Sequence, residues 1–289
     1  MGLKINKKYL GIVFIILSAF CFALMNVFVR LAGDVPTIQK SFFRNLIAMI
    51  FAFIILRKNH IPLGWKKGNL KFHIIRATCG TLGILCNFYA VDKLPISDAS
   101  MLNKMSPFFA IIFSLIFLNE KVTLFQSGIV VTAFVGSLFI IKPSFTSLEF
   151  LPALIGLLGG MGAGAAYTTV RHLGQKGEKG PFIVFFFSTF SCVVTLPYLI
   201  FNFQPMSAKQ LVFLLFAGLA ASGGQFAITA AYRHSPAKEI SVYDYSQIVF
   251  SAVLGLIIFG QIPDKYSFLG YFIIISSAVI MFIHNKKKT

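Results

Sequence analysis

The sequence predicts an all-α integral membrane protein: ten transmembrane helices forming two inverted five-helix repeats, with both termini on the cytoplasmic side. Three features carry this expectation: an apolar excess, a duplication at constant spacing, and basic residues concentrated in alternate loops. Of 289 residues, 57% are hydrophobic and 12% charged, with a mean hydropathy of +0.81. A soluble core has no use for so much apolar material. The net charge of +17 does not form a basic stripe interleaved with aromatics, so nucleic acid is not an expected partner.

The duplication is read at an offset of 141 residues, which carries Pro95 onto Pro236, Ser100 onto Ser241, Leu115 onto Leu256 and Ile116 onto Ile257. Polar positions pair in kind, Asp98 with Glu239, Asn103 with Asp244 and Glu120 with Gln261. The offset also relates Arg30 to Arg171, Gly83 to Gly224 and Ala90 to Ala231. One unit used twice is expected, over residues 1–146 and 147–289.

A bilayer core of about 30 Å needs roughly 20 apolar residues per helix. The first run, 9–32, follows Lys4, Lys7 and Lys8. No small-residue cleavage site follows before Arg30, so this run reads as a retained span. Runs 38–56, 72–91, 97–118 and 123–141 complete the first repeat, and 151–170, 181–203, 210–232, 239–259 and 267–284 form the second. With the N-terminus inside, the basic clusters at 4–8, 57–58, 66–71, 171–179, 233–238 and 286–288 are cytoplasmic. The other side receives Lys93, Lys142, Lys209 and Lys265, which fixes an N-in, C-in chain with an even number of spans. Five spans per repeat then force the second copy to enter from the opposite face. Inverted repeats around a midplane site are a recurring build of secondary transporters.

Within the spans, Gly156, Gly160 and Gly164 form a small-residue stripe, echoed by Gly218 to Gly224 and by Gly80 and Gly83. Such faces pack closely, or slide if the helices move. Pro107, ten residues into the fourth run, is expected to bend it, and its counterpart Ile248 makes the halves inequivalent there. Cys21, Cys79, Cys86 and Cys192 lack metal or disulfide spacing and read as packing residues.

An Ala-x-x-x-Leu-Pro turn from Ala90 to Pro95, a small polar start to the next helix, the mid-run Pro107 and a Leu-x-Glu-Lys ending at Leu118 to Lys121 occur together within a duplicated ten-span chain. Together they resemble the EamA family of the drug/metabolite transporter superfamily, over essentially the whole chain. The resemblance implies a basket in which helices 1–4 and 6–9 surround a central cavity and helices 5 and 10 are peripheral. It also implies transport of small metabolites such as amino acids, S-adenosylmethionine, riboflavin or metallophores. Gln261 departs from the Glu frequent in the second half of such proteins.

Ionisable groups inside spans are expensive and usually functional. Arg30 and Lys40 lie near outer helix ends and Arg76 near the basic inner loop, where long side chains snorkel. Arg44 lies deeper. Asp98 and Glu239 occupy first turns, where a carboxylate complements the helix dipole. The pairs Asn103–Lys104 and Asp244–Tyr245 are expected to reach the cavity from its two ends. Asp244 between Tyr243 and Tyr245 suits a cationic centre, and Lys104 with Arg44 suits a carboxylate or phosphate. Alternatively Asp244 pairs with Lys104 or an arginine and locks the bundle, and such a pair could still act as a gate. Asn26, Tyr167 and Gln225 add polar groups, Asn26 and Tyr167 at mirrored depths. Asp244, Glu239 and Asp98 are the candidates for proton coupling.

The expected activity is secondary transport of a small polar, zwitterionic or anion-bearing metabolite across the cell membrane by alternating access, in either direction. The alternative is a flippase of a lipid-linked polar substrate. An enzyme is not expected, because His60, His73, His172, His234 and His284 scatter over loops and helix ends. The expected partners are a small-molecule substrate, the lipid bilayer and, as coupling ion, protons, with no cofactor or metal, in a monomer or homodimer.

Overall fold

A computed structural model of the chain describes residues 9–93, 102–141, 150–260, 262 and 264–287. Asp98, Pro95 and Gln261, named above, lie outside them. The described residues are helical: α1 (Leu10–Leu31), α2 (Thr37–Lys58), α3 (Leu70–Lys93), α4 (Ser106–Leu118), α5 (Leu124–Ile141), α6 (Phe150–Gln175), α7 (Gly180–Asn202) and α8 (Ala208–His234). A single turn (Ala237–Ile240) and a 3-10 segment (Ser241–Tyr245) then lead into α9 (Ser246–Phe259), followed by α10 (Lys265–Lys287). Seven described segments are long and apolar enough to cross a membrane, with 237–259 counted as one of them. The described parts of α4 and α5 are shorter apolar helices. α3 has 24 residues but includes Lys71, His73, Arg76, Asp92 and Lys93.

Packing follows the 141-residue offset. α1 lies along α8 and α3 along α6, which are equivalent pairs, while α2 lies on α7 and α5 on α10. The close approaches match as well. Ser18 Oγ donates to Gly224 O at 2.9 Å, and at the equivalent positions a Cβ on Gly159 would meet Gly83 O at 3.1 Å. Two helix ends repeat too: Asn119 (φ 52°) after α4 and Gly260 (φ 64°) after α9 both adopt the left-handed conformation. Asn and Gly are the residues that enter it most readily.

The glycine stripe of α6 packs. Cβ atoms on Gly160 and Gly164 would meet Leu102 O at 2.5 Å and Ser106 O at 2.9 Å, so α6 runs against the backbone at the start of α4. That start corrects the expectation for Pro107. The regular helix begins at Ser106, so Pro107 occupies the first turn, where its missing N–H is not needed, and bends nothing. Nor are the halves inequivalent here. α9 begins at Ser246, and 246 is the position equivalent to 105, so both helices start at the same depth after irregular backbone. The fourth and ninth runs are therefore not continuous α-helices.

Candidate functional site

Irregular backbone inside a membrane must find its hydrogen bonds in the protein. At the two broken starts it does so both across the repeats and within the second one. Tyr245 OH donates to Lys104 O at 3.1 Å, and Ser246 Oγ donates to Tyr243 O at 2.6 Å. Lys104 Nζ lies 3.2 Å from Asp244 Oδ2, donates to Gln247 Oε1 at 2.9 Å and reaches Asp244 O at 3.5 Å. Both charged side chains are about one-tenth exposed, 10% for Lys104 and 9% for Asp244. Instead of approaching a cavity from opposite ends, the two pairs meet, because both helices begin deep in the bundle. Asn103, beside Lys104, is half-buried.

A second cluster surrounds Tyr167 on α6. Its ring stacks on Tyr232 of α8 with centroids 4.9 Å apart and planes 13° apart. Tyr167 feels the charges of Asp244, Arg76 and Arg44. Arg44, half-buried on α2, donates from Nη1 to Asn45 Oδ1 at 3.2 Å, and Asn45 Nδ2 donates to Ser191 Oγ of α7 at 3.0 Å.

Arg76 corrects the snorkelling expectation. It is 3% exposed, and its guanidinium carbon lies 4.1 Å over the Phe187 ring of α7. The side chain runs toward the C-terminal half of α3, away from the nearer, basic end, since a Cβ on Gly80 would collide with Arg76 Nη1 and the Phe187 ring. Glycine at 80 makes the room that turns the arginine inward.

The remaining candidates are dispersed. Asn26 is exposed, unlike its equivalent Tyr167, which is half-buried. Gln225 is 5% exposed with Nε2 unpartnered, and Tyr243 is 5% exposed with its hydroxyl unpartnered. Glu239 is half-buried in the Ala237–Ile240 turn. Arg30 lies over the Phe259 ring at 4.7 Å, and Lys40 Nζ donates to Gly33 O at 2.7 Å. Sequence reasoning missed Arg76 and Tyr232 as members of the site. It also missed Glu178, which is 3% exposed, accepts from Lys66 N at 2.8 Å and Asn69 Nδ2 at 2.7 Å, and faces His73 Nε2 at 3.6 Å.

At the basic end the bundle is closed. Arg171 Nε pairs with Glu120 Oε1 at 3.1 Å, Arg171 Nη1 donates to Arg233 O at 3.2 Å, and Lys238 Nζ donates to Lys121 O at 2.5 Å. α6 and α8 touch there, whereas among the described residues no comparable packing joins their equivalents α1 and α3. An apolar lateral groove, lined by Ile12, Ile16, Tyr243, Ser246, Ile275 and Val279 among others, opens between α1, α9 and α10. Among the described residues no group of His, Cys, Asp and Glu is placed to hold a metal ion.

The profile of the EamA-like transporter family matches residues 9–142 and again 151–283. The chain belongs to the EamA-like transporter family. It is similar to the pseudopaline exporter CntI of Pseudomonas aeruginosa (29% identity over 273 residues, 94% of this chain and 95% of the relative). It also resembles the human solute carrier family 35 member G1 (26% over 284 residues, 93% and 78%) and a riboflavin transporter of Rhizobium johnstonii (23% over 296 residues, 97% and 93%). A crystal structure shares the fold at a TM-score of 0.83 and 12% identity, over 96% of this chain and 98% of its own. These relatives are membrane transporters rather than enzymes, and this EamA chain is a multi-pass membrane protein of the same transport family.

Proposed function

We propose that this chain is a secondary transporter that moves a small polar, anion-bearing or zwitterionic metabolite by alternating access. Two inverted five-helix repeats, 1–146 and 147–289, form its ten spans, N-in and C-in. The observation that carries the reading is the contact between Tyr245 OH and Lys104 O. Lys104 and Tyr245 are equivalent under the 141-residue offset, and equivalent residues that touch lie on the axis relating their repeats. A charged pair on that axis is where a substrate-controlled gate belongs, because both halves can pivot about it. The Lys104–Asp244 pair offers an ammonium and a carboxylate that a zwitterion can compete for. Arg44, Tyr167, Gln225, Tyr243 and Asn103 line the approaches, and Asp244 is the first coupling candidate, with Glu239 and Asp98 as the further ones. The closed basic end against the looser packing of α1 and α3 supports an outward-facing state. The pseudopaline, riboflavin and solute-carrier relatives support a small-metabolite cargo.

The lateral groove beside Tyr243 favours one other reading, a flippase whose lipid-linked substrate lays its chain in the groove. Proteoliposomes separate the two. Labelled glutamate, histidine and S-adenosylmethionine are offered to the reconstituted protein, and saturable uptake of at least one is expected, lost on Asp244→Asn. Wild-type uptake by Asp244→Asn removes the gate. Transfer of a lipid-linked sugar without movement of any soluble solute replaces the carrier with the flippase.

A further inference from the structure

The acids whose side chains the structure describes are engaged elsewhere or lie in loops and helix ends. Glu120 pairs with Arg171, Glu178 binds the Lys66–Asn69 loop, Asp244 pairs with Lys104, Glu239 sits in a first turn, and Asp34 and Asp264 are in connections. None of them pairs with Arg44 or Arg76. Arg76 is 3% exposed, its Nε has no hydrogen-bond partner, and its guanidinium lies over the Phe187 ring. Among the described residues Arg44 has one acceptor, the neutral Asn45 Oδ1. Arg76 feels the charge of Arg44, and both lie near the neutral phenol of Tyr167. Both are held against α7 one turn apart, Arg76 over Phe187 and Arg44 through Asn45 to Ser191. Four residues of helix rise about 6 Å, within which one oxyanion or a pair of them can be spanned.

Arginine cannot discard its proton to escape burial, so two such groups with no carboxylate paired to them among the described residues hold a charge that a bound anion would neutralise. We propose that Arg44 and Arg76 form the oxyanion subsite of the transported solute, binding its carboxylate or phosphate from two sides beneath Tyr167. Arg76 is thereby a substrate-contacting residue, and Gly80 is a positioning residue that makes space for its guanidinium. The subsite rests on the transporter reading, in which a cationic group of the same solute competes with Lys104 for Asp244. A planar fork that matches two oxygens explains why both positions are arginine and not lysine.

The test is a thermal-shift titration of the purified full-length protein in detergent with glutamate, citrate, inorganic phosphate and, as a cationic control, lysine methyl ester. At least one oxyanion is expected to raise the unfolding midpoint saturably, with no effect from the ester. Glutamate or citrate acting alone marks the subsite for carboxylates, and phosphate acting alone marks it for phosphate. Arg76→Gln is expected to lose that shift by tenfold or more in midpoint concentration, while its ligand-free midpoint holds or rises because a buried, unbalanced charge is gone. Gly80→Ala, which leaves every charge in place, is expected to weaken the shift by displacing the guanidinium, and Arg76→Lys is expected not to rescue it. The proposal is overturned if no oxyanion shifts the wild-type protein. It is equally overturned if Arg76→Gln loses ligand-free stability yet keeps the full anion response, which is what a purely structural arginine would do. Oxyanion binding without movement of any solute in proteoliposomes sinks the transporter reading and leaves the subsite. Uptake of a cationic solute with no oxyanion response does the reverse.

Discussion

Removing one member of the Lys104–Asp244 pair should be far more damaging than removing both. The side chains are 10% and 9% exposed, so either partner left alone is a charge with little water to solvate it. Breaking a buried pair typically costs 3–5 kcal/mol. Lys104 would keep Gln247 Oε1 at 2.9 Å, which places Asp244→Ala at the lower end, about 3 kcal/mol. In a chain of this size that corresponds to a fall of about 6–12 °C in unfolding midpoint. Lys104→Met strands the carboxylate and should cost at least as much. The double variant contains no stranded charge, and its midpoint should lie above that of either single variant. Scanning calorimetry of the four proteins in one detergent gives the cycle, and uptake in proteoliposomes gives the function. Recovered stability without recovered transport is the signature of a gate. Additive destabilisation would refute the electrostatic reasoning, and a double variant that transports normally would reduce the pair to a structural lock.

Tyr245→Phe removes the hydroxyl donor to Lys104 O and should cost about 1–2 kcal/mol, read as a lower thermal midpoint. Gly164→Val would drive a side chain into Ser106 O and Ala110 N of α4, so a loss of about 1–3 kcal/mol is expected in the same measurement. Glu178→Ala releases Lys66 N and Asn69 Nδ2, and trypsin should cut at Lys66 and Lys67 several-fold faster than in the wild type. In a background without native cysteines, exposed Lys66→Cys should react with an impermeant thiol reagent only from the cytoplasmic side and Lys209→Cys only from the opposite side. Labelling of both from one side would end the inverted arrangement.

Much of the scaffold was legible because it is written twice. The 141-residue offset relates the pairing of α1 with α8 to that of α6 with α3, and the left-handed residue at 119 to that at 260. What sequence did not reveal were directions in space. Pro107 looked like a kink because an apolar run carries no mark of where its regular helix begins, and only the turn before Ser106 shows it. Arg76 looked like a snorkelling group because its distance from the basic loop says nothing of which way the side chain leans. Gly80, one turn on, was the available hint: a gap beside a long side chain tells it where to go. Lys104 and Asp244 could be ranked as functional by depth alone, but their meeting depends on how two broken helices cross.

The ion pair between Glu120 and Arg171 has an unequal twin in the sequence. Moving Arg171 back by the repeat spacing gives Arg30, and moving Glu120 forward gives Gln261, so the charge complement that latches one end was not duplicated at the other. A machine whose halves were identical would rest in either posture with equal preference. On the proposed alternating-access reading this one is weighted: each 1.4 kcal/mol that the latch adds corresponds to about a tenfold excess of the posture in which the basic end is shut. On that reading an empty carrier waits facing the far side of the membrane, and the acid missing at one position becomes a thumb on the scale of its resting equilibrium.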